Sequence, residues 1–155
     1  MSNTLIVKGN STMSSWNATG KIQTVLGLID PTQLGITLTH EHLLIDLTAV
    51  FQPPTESSAR EQYYAALTPE SLGKVRHYGE VNHSNYQVLN VDTAIAEASL
   101  YKQFGGASIV DATSIGIARD PTGLARIARA TGLNVIMGAS FYVSPAHPDL
   151  SLIHI

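Results

Sequence analysis

A parallel α/β fold is predicted by three features of this sequence. Two short apolar runs, Ala107–Asp111 and Leu133–Met137, flank a segment whose apolar residues recur at helical spacing. A second helical segment precedes the first run. A further apolar run, Ile36–Thr39, lies well upstream. Strand and helix therefore alternate, which is the pattern of βαβ units with right-handed crossovers. Three core strands are expected. A closed eight-stranded barrel takes about 250 residues, so a chain of 155 residues cannot close one alone.

Taken in order, residues 1–19 are rich in Ser, Thr and Asn and read as a flexible leader. Lys21–Leu26 is a short mixed stretch, with a turn expected at Asp30-Pro31. Ile36–Thr39 reads as a buried strand whose end carries His40-Glu41-His42. Residues 51–90 are the least readable part. Pro53-Pro54 breaks the chain, and two weakly helical pieces follow around Glu61–Ala66 and Glu70–Arg76. From Asn90 the pattern is regular. Val91, Ala94, Ile95 and Ala98 recur at helical spacing, with Asp92 in the first turn and Gly105-Gly106 as the stop. Ala107–Asp111 is a strand. Asp120-Pro121 then supplies an N-cap and a proline at the first helical position. Leu124, Ile127 and Ala128 form the buried stripe, Gly132 closes the helix, and Leu133–Met137 is the third core strand.

Composition narrows the function. Hydrophobic residues at 44% and charged residues at 14% argue against disorder. Net charge is −3 with no Lys/Arg run, so the electrostatic footprint of a nucleic-acid binder is missing. No apolar stretch approaches the roughly 18 residues of a membrane span. With no cysteine, disulfides, thiolate metal sites and thiol catalysis are excluded, and any metal rests on His, carboxylate or water. The N-terminus lacks a charged start and an apolar core of roughly 7–15 residues, and a cytoplasmic location is expected. The glycines fit neither a dinucleotide nor a phosphate loop, and no G-x-S-x-G elbow or H-E-x-x-H helix occurs.

The chemistry concentrates in His40 and His42. Two residues apart on a strand, they project from the same face. At the C-terminal end of a first barrel strand, that face lies at the barrel mouth. Converging neutral imidazoles suit zinc or a similar divalent ion. An H-x-H pair is also readily incidental, and two histidines are half of a zinc site. Glu41 points the other way and reads as structural.

Two long segments add a resemblance. GKIQTVLGLIDPTQLGITLTHEHLLID (residues 20–46) and SIVDATSIGIARDPTGLARIARATGLNVIMGASFYV (residues 108–143) resemble phosphotriesterase-related proteins of the amidohydrolase superfamily. The likeness runs from about 20 to 148 and is looser between 50 and 90. It implies the N-terminal portion of a TIM-type (β/α)8 barrel with a binuclear metal centre, usually zinc, in which His40 and His42 match the first ligand pair. It also implies hydrolysis of an ester, lactone, N-acyl amide or phosphotriester of a small-molecule substrate by a metal-bound hydroxide. The family's later ligands, a carboxylate on strand four, two histidines and an aspartate, have no counterpart in this chain, so catalytic residues are missing and the chain alone is expected to be inactive. The alternative is a short non-catalytic protein that binds a metal or a partner.

Other residues carry two readings each. Asp111 ends the second core strand, where hydrogen bonding is favoured over a functional role. Arg119 and Asp120 read as a loop-fixing and capping pair rather than a substrate contact. Phe141 and Tyr142 either line a substrate pocket or pack in the core. His77 and His83 read as surface residues, and His147 as no ligand. Residues 149–155, with the terminal LSLIHI, do not continue the family pattern and read as a non-native tail, so His154 is discounted. Met13 lies near the usual family start, so residues 1–12 read as an extension or a misplaced start. An open parallel sheet exposes an edge and an apolar face, and poor solubility, a homo-oligomer or partial unfolding is expected.

Overall fold

The computed structural model describes residues 17–78 and 82–148. Most of the leader, together with the tail at 149–155 and His154, lies outside the described residues. The chain opens on an antiparallel hairpin, β1 (Ile22–Thr24) and β2 (Gly27–Ile29), paired with Thr24 opposite Gly27. The hairpin turns at Val25-Leu26, a turn that was not expected from the sequence. Thr24 is the reason: its hydroxyl donates to the Gly27 carbonyl at 2.8 Å and closes the two-residue loop. The turn expected at Asp30-Pro31 is present as a 3-10 turn over Pro31–Gln33, with Gln33 N–H donating to the Asp30 carbonyl at 2.9 Å. Val25 N–H donates to the Val135 carbonyl at 2.9 Å, docking the hairpin on the third core strand.

β3 (Thr37–Glu41) follows, and then β4 (Ile45–Asp46). The poorly readable stretch contains α1 (Ser57–Tyr64), α2 (Pro69–Tyr78) and β5 (Gln87–Val88). β5 returns to pair antiparallel with β4, so the insertion leaves and re-enters the body at one place. The Asn82 side-chain amide donates to the carbonyls of Gln62 and Ala65 and ties the end of α1 to this return. His83 is not a free surface residue. It is half-buried, with its ring 5.7 Å from that of the buried Tyr63 and 5.4 Å from Tyr64.

The remaining elements are α3 (Val91–Gln103), β6 (Ser108–Asp111), α4 (Pro121–Thr131) and β7 (Asn134–Met137). Asn90 caps α3 by accepting from Thr93 N–H. Asp120 caps α4 with Pro121 in the first turn, and Gly132 ends it in the left-handed region at φ 67°. The three core strands form one parallel sheet in the order β3-β6-β7. Among the described residues no closed barrel is formed.

One face of this sheet carries the core. Ile109 and Val135 meet Ala94 and Ala98 of α3 and Leu124, Ile127 and Ala128 of α4, with Leu44 and Leu133 completing the cluster. The intervening strand residues, Val110 and Ile136, point to the opposite face and are only half-buried. β3 was expected to be buried. It is not: Thr37 is half-buried and Leu38–Glu41 are exposed. Among the described residues its pairing partner is β6, and its other edge has no strand beside it. No helix among the described residues is long and apolar enough to cross a membrane.

Candidate metal centre

β3 carries a bulge that decides where its histidines go. Leu38 pairs with Ile109, but Glu41 pairs with Asp111, so β3 spends one residue more than β6 over the same span. Neighbouring residues in register share a face, and Ile109 belongs to the helix-covered side. Leu38 therefore faces the helices. Strict alternation would send His40 and His42 to that same side. The extra residue switches the phase: Glu41 now sits on the helix side and, with Leu38, lines a groove against α3. Alternating with Glu41, His40 thereby projects from the face that the helices leave uncovered, while His42, one residue past the strand, also contributes to the lining of the groove. Bulges of this kind concentrate beside active sites, where they re-aim side chains.

The two imidazoles meet. Their ring centroids are 5.3 Å apart at an interplanar angle of 77°, edge to face. His40 is exposed and His42 half-buried. His42 Nδ1 lies 3.0 Å from the Thr113 hydroxyl, which also donates to the Leu44 carbonyl at 3.0 Å. Asp111 is fully buried, and both of its carboxylate oxygens are used. Oδ2 accepts from Leu43 N–H at 2.8 Å, and Oδ1 accepts from Thr113 N–H at 3.0 Å. The hydrogen-bonding role favoured for Asp111 is thus the one it fills. Thr113 escaped the sequence reading, because its partner His42 is 71 residues away and no local pattern links the two.

Every one of these groups stands at the C-terminal edge of the parallel sheet, the edge on which α/β barrels build their sites. Arg119 donates to the Gly138 carbonyl at 3.1 Å, fixing the loop after β6 to the end of β7, and Asp120 caps α4. Phe141 and Tyr142 are 50% and 40% exposed, so neither belongs to the core formed by the described residues. Phe141 forms a parallel bridge with Ile115, and its ring lies 5.7 Å from His147. His147 donates from its imidazole to the Tyr142 carbonyl at 2.6 Å, a bond that holds this loop. Phe141 and Tyr142 thus group with His147, while His40 and His42 group with Thr113.

Among the described residues no cluster of three or more His, Cys, Asp or Glu able to hold a metal occurs. The donor set still fits a metal in kind. Two imidazoles lie side by side, and the hydrogen bond of His42 to Thr113 uses Nδ1 rather than Nε2. In number it is half a site, since zinc takes three or four protein ligands.

A sequence profile of the phosphotriesterase family matches residues 20–151. The chain belongs to the phosphotriesterase family. Human N-acetyltaurine hydrolase is 39% identical over 132 residues, covering 83% of this chain and 37% of that protein. The phosphotriesterase-related protein of Drosophila willistoni is 38% identical over 125 residues, covering 79% of this chain and 35% of its own length. A solved structure, that of a resiniferatoxin-binding protein from Rhodobacter sphaeroides, superposes with a TM-score of 0.80 at 40% identity. That match covers 86% of this chain and 37% of the other. The chain therefore spans a little over a third of the length of the curated relatives it matches.

Proposed function

We propose that this chain carries the first part of a metal-dependent hydrolase, its sheet being the first three strands of a (β/α)8 barrel. The observation that supports this most is the His40–His42 pair, whose rings meet beside a bulge at the C-terminal edge of the sheet. The metal is zinc, because neutral imidazoles without thiolates suit it; the family resemblance implies two such ions in the whole enzyme. When bound, such ions lower the pKa of water and polarise the group under attack. His40 and His42 bind and orient, and the Asp111 and Thr113 hydrogen bonds hold the strand end that presents them. Phe141 and Tyr142, exposed on the loop after β7, line the entrance for a small-molecule substrate.

The substrate bond is a carboxylic ester, a lactone, an N-acyl amide or a phosphotriester. Similarity to N-acetyltaurine hydrolase favours the N-acyl amide. With two ligands in the described residues, the 155-residue chain is inactive by itself. The test is hydrolysis of N-acetyltaurine, a lactone and a phosphotriester by the whole gene product, with chelation and zinc restoration. At least one activity is expected to vanish with chelator, return with zinc, and be absent from the His40→Ala,His42→Ala variant. Full activity in that variant would overturn the proposal. A non-catalytic metal- or partner-binding role is the second reading. It is favoured by the open groove of about 240 Å³ between β3 and α3, whose lining includes Leu38, Ala98, Tyr101 and Ile109 together with Glu41 and His42.

A further inference from the structure

We infer that Thr113 is a positioning residue that locks His42 in its Nδ1–H tautomer and so turns the Nε2 lone pair outward as the metal donor. The inference rests on the metal reading above for its purpose, but the tautomer can be read without any metal. Thr113 is buried, 1% exposed, and its hydroxyl has one proton and two neighbours at 3.0 Å, the Leu44 carbonyl oxygen and His42 Nδ1. A carbonyl can only accept, whereas a ring nitrogen can donate or accept. If the hydroxyl proton goes to Leu44, Nδ1 must carry its own proton and donate to Oγ1, and every group is satisfied. If the proton goes to Nδ1 instead, two oxygen atoms face each other at 3.0 Å with no proton between them, beside a residue only 3% exposed. Buried acceptors left in that state are costly. The first arrangement is the one the geometry selects.

The hydroxyl is itself held in place. Asp111 accepts from Thr113 N–H with one carboxylate oxygen and from Leu43 N–H, next in chain to His42, with the other. The histidine, the threonine and the strand end are thereby joined in a closed ring of bonds through one buried carboxylate. A neutral histidine free in water favours the Nε2–H form, which blocks the nitrogen that faces away from Thr113. The Thr113 contact reverses that preference. Partners of this type behind a ligating histidine tune metal affinity by about 10–100-fold.

The test is long-range 1H–15N correlation NMR on the metal-free, 15N-histidine-labelled chain at mildly alkaline pH, with His42 assigned through His42→Gln. The expected wild-type signal is Nδ1–H with a bare Nε2. Thr113→Val should move His42 to the Nε2–H form and weaken zinc binding by about 10–100-fold. Thr113→Ser, which keeps the hydroxyl, should restore both. An Nε2–H signal in the wild type overturns the inference, and so does a folded Thr113→Val chain with unchanged tautomer. Should Thr113→Val unfold, the wild-type and Thr113→Ser spectra decide alone. The two readings separate cleanly. Nδ1–H without zinc binding sinks the metal reading and leaves the tautomer standing, while zinc binding through a His42 that is Nε2–H when free does the reverse.

Discussion

Replacing Asp111 by Asn changes one atom in kind and almost nothing in size, yet the structure predicts a large cost. The Asp111 side chain is fully buried, and each carboxylate oxygen accepts a different backbone N–H, from Leu43 at 2.8 Å and from Thr113 at 3.0 Å. An amide has one acceptor oxygen, so one N–H must instead face an NH2 group. The loss is one charge-assisted bond plus a buried donor left without a partner, about 2–4 kcal/mol in all. With a urea m-value of about 2 kcal/mol/M, the midpoint should fall by about 1–2 M. Asp120→Asn is the matched control. Asp120 accepts both Thr122 N–H and Gly123 N–H on the same oxygen, Oδ1, which an asparagine reproduces. Its cost should stay below about 0.5 kcal/mol, since Asn and Asp cap helices about equally well. Comparable midpoint shifts for the two variants would refute the reasoning, because it depends on how many oxygens are engaged rather than on the charge.

Gly116 has φ 94°, and a Cβ there would run into the Ala146 carbonyl oxygen. Gly116→Ala should therefore lower the melting temperature sharply and free the Ser144–Ala146 turn to faster amide exchange. Ile127 of α4 is fully buried in the cluster with α3 and the sheet; Ile127→Ala should cost about 2–5 kcal/mol by chemical denaturation. Partial burial pushes the Asp46 carboxyl up, but hydrogen bonds from the Thr48 hydroxyl, Thr48 N–H and Gln87, aided by His83, outweigh it and hold Asp46 below its ordinary value. A depressed carboxyl stabilises the fold above the unfolded pKa of about 3.9 and loses that contribution as pH falls through the lower folded value. A 13C titration should place Asp46 below 3.9 in the native chain and closer to it in Gln87→Ala. Equal midpoints in the two would contradict the hydrogen-bond account.

The sheet was legible because its cause is local. Ile109 and Val135 sit in apolar runs, Asp120, Pro121 and Gly132 punctuate α4, and Ala94 and Ala98 keep helical period. Each of those signals lies within a dozen residues. The hairpin was missed because Thr24 sets its turn with a side-chain bond that no composition rule marks. The pairing of β4 with β5 joins residues more than 40 apart across an irregular insertion, and two-residue strands leave no periodicity to read. At the site, the spacing of two already suggested that His40 and His42 would lie together, and their rings do meet. Where they point was not legible, because the bulge between Leu38 and Glu41 is defined only by the partner strand. Thr113 was invisible for the same reason, its role being a contact made by the fold.

The central claim is that His40 and His42 form half of a metal site, and zinc titration of the chain tests it most directly. Competition against a chromophoric chelator should give one zinc per chain for the wild type, with at least a tenfold loss of affinity in both His40→Ala and His42→Ala. X-ray absorption should find histidine nitrogens at about 2.0–2.1 Å from the ion. Equal zinc affinity in the wild type and both variants would contradict the account, leaving the pair as two neighbouring imidazoles with no ligating role.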